Sequence, residues 1–191
     1  MNTTAIRPLG KRLETSARRA LTVIAGAALM TLAAKIQIPF WPVPMTLHTL
    51  AVMGFAVALG PRIAILIFLA YLLAGALGLP VFSGSPERGI GLAYMVGPTG
   101  GYLLGYLVAS WLVGILALGR ATFGRIGAML AGLVVIYATG VAWLAAYVPA
   151  NQLVAAGVAP FLVGDLVKIG IIAFGAMLLP ASTARLRAKS R

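Results

Sequence analysis

Two ionisable residues of opposite charge stand three positions apart inside an apolar segment near the C-terminal end of the sequence. Asp165 and Lys168 lie in the segment 160–168, PFLVGDLVK, and the apolar run continues to Leu179. The whole chain has only three acidic residues. Residues at i and i+3 share one face of a helix, so the spacing predicts that the two side chains point the same way. Ionisable groups in such a segment are costly and typically mark a substrate or ion path.

The chemistry of this pair suits a small polar ligand. The lysine ammonium offers three hydrogen-bond donors, whereas the ionised aspartate offers only acceptors. Together they match a solute that both donates and accepts, such as a cyclic urea or amide. The alternative is an ion pair that neutralises itself and packs helices, and at this point both interpretations stay open.

The rest of the chain predicts an all-α integral membrane bundle that would position this pair. The sequence is 61% hydrophobic and 9% charged, its mean hydropathy is +1.02, and soluble domains carry roughly 25% charged residues. Apolar stretches of about 20 residues cross a bilayer. We predict six transmembrane helices with irregular, Gly/Pro-rich outer loops, and the approximate spans are 20–38, 44–60, 62–79, 98–118, 126–147 and 160–180.

The basic residues predict the orientation of this bundle. The net charge is +12, which in a soluble protein would suggest a nucleic-acid partner. Here the charges lie in the loops: before the first span, at Arg62, at Arg120 and Arg125, and after the sixth span. If the six spans alternate, all of these positions fall on one side. The positive-inside rule then predicts a multi-pass protein of the inner (cytoplasmic) membrane with both termini in the cytoplasm.

This orientation divides the chain into three parts. We predict a basic cytoplasmic N-terminal segment over 1–19, a substrate-binding transmembrane domain over 20–180 and a basic cytoplasmic tail over 181–191. Anionic membrane lipid is the expected partner of the basic segments, and no nucleic acid is expected. About nineteen polar and basic residues precede a full-length first span, which is not the pattern of a cleavable signal peptide.

Residue counts exclude several kinds of chemistry. The chain has no cysteine and one histidine, His48, so we expect no disulfide, no metal site, no cofactor and no Ser-His-Asp triad. An intramembrane enzyme is an alternative, but Asp165 has no acid-base partner except Lys168. A structural or assembly protein of the bilayer is another. The prediction is that the protein is not an enzyme.

The outer connections carry the unusual sequence. The segment 39–44, PFWPVP, favours a stiff interfacial turn, and the apolar, Gly-rich segment 78–102 favours a loop that dips into the bundle. We predict that residues 80–101 close over a bound ligand as a lid. The short second span predicts that Thr46, His48 and Thr49 face an outer cavity. The Gly97, Gly101 and Gly105 spacing predicts close helix packing rather than chemistry.

Four ordered sequence blocks resemble those of the BioY biotin-transporter family. They are 43–52 (VPMTLHTLAV), 78–84 (GLPVFSG), 97–105 (GPTGGYLLG) and 160–168 (PFLVGDLVK). The resemblance implies high-affinity biotin uptake by the S component of an energy-coupling factor (ECF) transporter. That component would pair with a membrane T component and two ABC-type ATPases, or work as a solitary transporter. An S component for another small vitamin-like solute is the alternative within this class.

Seven residues are candidates for substrate binding. Asp165 and Lys168 would bind the ureido ring of biotin, and Arg88 would lie nearer its carboxylate. The further candidates are Thr46, His48, Ser83 and Tyr102. His48 departs from the family pattern, which usually has Gln there, and Ala27 to Thr31 is the nearest fit to the docking motif of the first span.

Overall fold

A computed structural model describes residues 9–178, and these are mostly helical. Residues 1–8 of the predicted N-terminal segment and the whole predicted tail, 181–191, lie outside the described residues. The helices are α1 (Leu9–Lys35), α2 (His48–Leu59), α3 (Pro61–Ala76), α4 (Gly91–Met95), α5 (Gly100–Leu116), α6 (Thr122–Leu144), α7 (Leu153–Gly157) and α8 (Ala159–Leu178). A 3-10 turn, Ala150–Gln152, precedes α7. Strands β1 (Gln37–Ile38) and β2 (Met45–Thr46) pair antiparallel.

The helical membrane character predicted from composition is confirmed. Three described segments, 16–35, 122–144 and 150–177, are long and apolar enough to cross a bilayer, and α2, α3 and α5 are shorter apolar helices. The apolar outer face of α8 includes Val163, Ile171 and Phe174, which are well exposed. Such a face fits hydrocarbon rather than water.

The irregular elements differ from the sequence prediction. The β1–β2 pair flanks the expected turn over 39–44, and α4, α7 and the 3-10 turn have no counterpart in the predicted spans. Helix α1 begins at Leu9, so the described part of the predicted N-terminal segment is continuous with the first span. Prolines prevent residues 39–44 from forming a helix, and strand pairing satisfies backbone groups on either side of them.

Helix α2 is short and is preceded directly by β2. Its 12 residues extend about 18 Å at 1.5 Å per residue, compared with about 30 Å of hydrocarbon. Gly60 alone separates α2 from α3, with a positive φ of 78° that suits glycine, and Pro61 occupies the first turn of α3. Because α2 is short, β2 and its residue Thr46 lie inside the bundle rather than at its end.

Glycines allow α5 and α6 to approach closely. A side chain at Gly101 would overlap the carbonyl oxygen of Thr139 and the Trp143 side chain, and one at Gly105 would overlap Ile136. The packing role predicted for the Gly101 and Gly105 spacing is therefore confirmed, whereas Gly97 precedes α5. This contact fixes the two helices that supply one wall of the cavity described below.

We expect Gly101→Ala to destabilise the protein by about 1–3 kcal/mol, since the added Cβ meets backbone that cannot move cheaply. Gly127→Ala is the matched control because an added Cβ there meets nothing within 4 Å. Thermal unfolding of the purified variants in one detergent measures the effect. A transition temperature for Gly101→Ala equal to that of Gly127→Ala would contradict this packing account.

Candidate functional site

Asp165 and Lys168 form a buried ion pair on one face of α8, as their spacing predicted. Lys168 Nζ donates to Asp165 Oδ1 at 2.8 Å, and the two side chains are only 7% and 5% exposed. Both lie in the first half of α8, which begins at Ala159. A buried pair of this kind holds its charges at a fixed position, and breaking it leaves an uncompensated charge.

Two further groups form hydrogen bonds with the pair. Lys168 Nζ donates to the carbonyl oxygen of Thr46 at 2.6 Å, and the Tyr137 hydroxyl donates to Asp165 Oδ2 at 2.8 Å. These bonds join α8 to β2 and to α6. Within residues 9–178, no buried side-chain nitrogen or oxygen atom lacks a hydrogen-bond partner, so the network is satisfied before any ligand enters.

An open cavity of about 290 Å³, a volume that includes the solvent space at its mouth, lies beside the pair. It is lined by Val43, Pro44, Met45, Thr46, Thr49, Tyr102, Tyr106, Ile136, Tyr137, Phe161, Asp165 and Lys168. The structure thus brings together four of the seven residues proposed from the sequence: Thr46, Tyr102, Asp165 and Lys168. Tyr102 contributes its ring, because its hydroxyl donates to the carbonyl oxygen of Gly157 at 2.7 Å.

His48 lies one layer behind the cavity wall. Its Nδ1 is 2.9 Å from Thr46 Oγ1, its Nε2 is 2.9 Å from the Tyr71 hydroxyl, and its ring stacks on Tyr106. The position is buried. His48 therefore contacts residues that line the cavity and is not itself among them.

Ser83 and Arg88 lie in the loop between α3 and α4, away from the cavity lining. The buried Ser83 hydroxyl donates to the side-chain oxygen of Gln37. Arg88 donates to the carbonyl oxygens of Phe40 at 3.0 Å and Pro42 at 3.2 Å, and its guanidinium lies over the Trp41 ring. Both residues connect the loop between α3 and α4 to residues 37–42.

The segment that borders the cavity is 43–46 rather than the predicted lid 80–101. None of the lining residues falls within 80–101. Residues of 80–101 instead bond to the chain between α1 and α2 and to the end of α1. Ser83 and Arg88 make the bonds described above, and Ser85 accepts two hydrogen bonds from Lys35 Nζ at 2.7 and 3.0 Å. The closing of residues 80–101 over a bound ligand stays a prediction.

The cavity combines a few polar groups with an aromatic lining. Lys168 supplies a donor and Asp165 supplies acceptors, while Tyr102, Tyr106 and Phe161 supply apolar ring surface. A concave site with convergent polar groups and aromatic walls is typical of a binding site for a small organic ligand. Among the described residues there is no cluster of three His, Cys, Asp or Glu side chains.

The fold is that of a helical membrane protein with a buried ion pair beside a cavity. The family model described as "BioY family" matches residues 4–185, and the chain belongs to the BioY family. It is 40% identical over 141 residues to the probable biotin transporter BioY of Pyrococcus horikoshii, covering 74% of this chain and 83% of the relative. It is 39% identical to the biotin transporter BioY of Thermotoga maritima, covering 80% of this chain and 89% of the relative.

A solved structure shows the same fold. It is described as the S-component for biotin from an ECF-type ABC transporter, and it covers 96% of this chain and 95% of its own with a TM-score of 0.72. Its sequence identity to this chain is 24%, so the likeness concerns the arrangement of the helices. The sequence resemblance to the BioY family is confirmed by the family match and the curated relatives.

Proposed function

We propose that this protein mediates high-affinity biotin uptake across the cytoplasmic membrane, as the substrate-binding S component of an ECF transporter or as a solitary transporter. The observation that carries the proposal is the buried Asp165–Lys168 pair at the wall of a cavity in a chain whose curated relatives are named biotin transporters. We place Asp165, Lys168, Thr46 and Tyr102 in the substrate site, and add Tyr137.

The polar head of biotin fits this site. Its ureido ring presents two N–H donors and one carbonyl acceptor, which match an acceptor-only carboxylate and an ammonium donor. The aromatic lining suits the fused rings and the alkyl chain. The intramembrane enzyme is disfavoured because the Asp165 carboxylate is already engaged by Lys168 and Tyr137. Another vitamin-like solute would need the same pattern of donors and acceptors.

Purification from cells grown with biotin tests the proposal. We expect mass spectrometry to detect co-purified biotin, and titration of the ligand-depleted protein to show saturable binding of biotin but not of thiamine or riboflavin. Binding of another vitamin in place of biotin would support the alternative solute. Purified, folded protein that binds none of these would contradict a substrate-binding role and favour an assembly protein held together by its ion pair.

The orientation in the membrane is a second part of the proposal. Six crossings, by α1, α2, α3, α5, α6 and α8, would place residues 1–19 and 181–191 in the cytoplasm, since the basic residues then share one side. We expect a reporter fused to either terminus to be inaccessible from outside the cell. Termini on opposite sides would show that one helix does not cross, with the short α2 the first to reconsider.

An ECF T component and ABC-type ATPases are the proposed partners. The fold shared with an S component supports this part of the proposal. In the first span the Thr31 hydroxyl donates to the carbonyl oxygen of Ala27 at 3.0 Å, which keeps the polar group within the helix and leaves a small surface there. Pull-down of the native complex tests the partnership, and biotin uptake in cells that lack these partners would favour the solitary transporter.

Arg88 is expected to act on binding through the outer loops. Arg88→Met removes two bonds to the segment that leads into residues 43–46, so we expect faster hydrogen exchange over 39–46 and about a three- to tenfold loss of biotin affinity. The exposed neighbour Glu87 provides the control variant Glu87→Gln. If Arg88 instead binds the biotin carboxylate, the loss will vanish with biotinamide as the ligand.

A further inference from the structure

A directed chain of hydrogen bonds runs from the cavity wall to the loop that follows α3. It joins the Thr46 hydroxyl to His48 Nδ1 at 2.9 Å, His48 Nε2 to the Tyr71 hydroxyl at 2.9 Å, and that hydroxyl to the carbonyl oxygen of Val81 at 3.4 Å. Thr46, His48, Tyr71 and Val81 are all buried. Only Thr46 among the four lines the cavity.

The direction of the chain follows from counting its protons. Three protons are involved: those of the Thr46 hydroxyl, of one His48 ring nitrogen and of the Tyr71 hydroxyl. If Thr46 donates to Nδ1, Nε2–H donates to Tyr71 and Tyr71 donates to Val81, every proton has an acceptor. In the reverse direction Tyr71 donates to Nε2, so the carbonyl oxygen of Val81 accepts nothing from Tyr71 and the Thr46 proton is left to face the cavity. Buried polar groups are overwhelmingly paired, which selects the first direction.

This direction fixes what Thr46 can offer to a ligand. Its hydroxyl oxygen also accepts the backbone N–H of His48 at 3.2 Å. The hydroxyl proton is used in the hydrogen bond to Nδ1, and one lone pair accepts the His48 N–H. The oxygen therefore keeps one free lone pair and has no free proton to donate. Thr46 is therefore an acceptor at the cavity wall.

We infer that His48 is a specificity-determining positioning residue, which makes the Thr46 hydroxyl an acceptor for a ligand N–H. The inference rests on the proposed function. Thr46, Asp165 and Lys168 all line the cavity, and Lys168 Nζ donates to Asp165 Oδ1 at 2.8 Å and to the main-chain carbonyl oxygen of Thr46 at 2.6 Å. The cavity wall then offers acceptors on Asp165 and on the Thr46 hydroxyl and a donor on Lys168, which match the two N–H groups and the carbonyl oxygen of a cyclic urea.

The hydrogen-bond partners of His48 determine its tautomer. A neutral imidazole that accepts a hydrogen bond at Nδ1 carries its proton on Nε2, and the Tyr71 hydroxyl accepts that N–H and so favours this tautomer. Its ring also packs between Tyr71 and Tyr106, with ring centroids 5.5 and 5.3 Å away. His48 thus holds Thr46 without touching the ligand.

Equilibrium biotin titrations of four variants test the inference: Thr46→Val, His48→Phe, the double variant and Tyr71→Phe. His48→Phe keeps a ring in the aromatic stack. We expect Thr46→Val and His48→Phe each to lower biotin affinity about tenfold, since one hydrogen bond to the ligand is altered. Tyr71→Phe should lower the affinity less. The double variant should equal Thr46→Val alone. Tyr147→Phe, an exposed tyrosine whose hydroxyl bonds to Val96, is the control and should match the wild type.

Ligand analogues provide a readout that a merely structural role would not change. With biotin methylated at one or the other ureido nitrogen, Thr46→Val and His48→Phe should cost no further affinity for the analogue that lacks the N–H facing Thr46. Unchanged affinity in His48→Phe, or losses that multiply in the double variant, would overturn the inference. Should His48→Phe fail to fold, unchanged affinity in Tyr71→Phe overturns it as well. Absence of biotin binding by the wild type would instead refute the proposed function.

Discussion

Asp165→Asn and Lys168→Ala should each weaken biotin binding by two to three orders of magnitude. Either change removes one partner of a buried ion pair and leaves the other charged group uncompensated, a loss of roughly 3–5 kcal/mol. It also removes a group that we assign to the ureido ring. Asp165→Asn preserves the size of the side chain, and a neutral amide is cheaper to insert into a bilayer than a charge, so expression and insertion should be nearly unchanged.

Isothermal titration of the purified variants measures this effect. Arg62→Ala is the control, because Arg62 is an exposed basic residue at the start of α3 that does not line the cavity. Near wild-type affinity in both Asp165→Asn and Lys168→Ala would refute the site assignment. Failure of both to fold, with no folded but non-binding protein, would favour the ion pair as a helix-packing device.

A double variant separates binding from stability. Asp165→Asn combined with Lys168→Met leaves no unpaired charge, so its free energy of unfolding should recover relative to the single variants. Biotin affinity should not recover, because both polar partners of the ureido ring are then changed. Recovery of both properties together would mean that the pair serves only the fold.

The sequence was sufficient for the features that depend on composition and local spacing. Apolar runs separated by Gly/Pro clusters predicted the helices: the predicted span 62–79 corresponds to Pro61–Ala76, and 98–118 corresponds to Gly100–Leu116. The i, i+3 spacing of Asp165 and Lys168 predicted a shared face, because helix geometry fixes that relation without any knowledge of the other helices.

Contacts between distant segments could not be predicted in the same way. Tyr137 lies 28 positions from Asp165 in sequence, and a tyrosine in an apolar span is as common in packing as in binding. The partner of Lys168 is a main-chain oxygen 122 positions away, and every residue carries such an oxygen. Ser83 and Arg88 were proposed for the site from loop composition, but their contacts are with Gln37, Phe40 and Pro42.

Tyr137, which the sequence analysis did not identify, gives the second large expected effect on biotin affinity. Tyr137→Phe removes a hydroxyl that donates to Asp165 Oδ2 at 2.8 Å and leaves the ring in the cavity wall. A hydrogen bond to a charged group contributes roughly 1.5–3 kcal/mol. We expect biotin affinity to fall by about ten- to a hundredfold, since the carboxylate loses one of the two bonds that fix its rotamer and is less well oriented for the ureido N–H.

Tyr102→Phe is the control for this change. Tyr102 lines the same cavity, but its hydroxyl donates to the carbonyl oxygen of Gly157 in α7, so the same substitution leaves Asp165 untouched. The biotin affinity of Tyr102→Phe should change less than that of Tyr137→Phe. The variant still loses one hydrogen bond, so its free energy of unfolding should fall by a comparable amount. Combining Tyr137→Phe with Asp165→Asn discriminates further: if Tyr137 acts through the carboxylate, the double variant binds no more weakly than Asp165→Asn alone. Additive losses in that double variant would instead assign the Tyr137 hydroxyl a direct contact with the ligand.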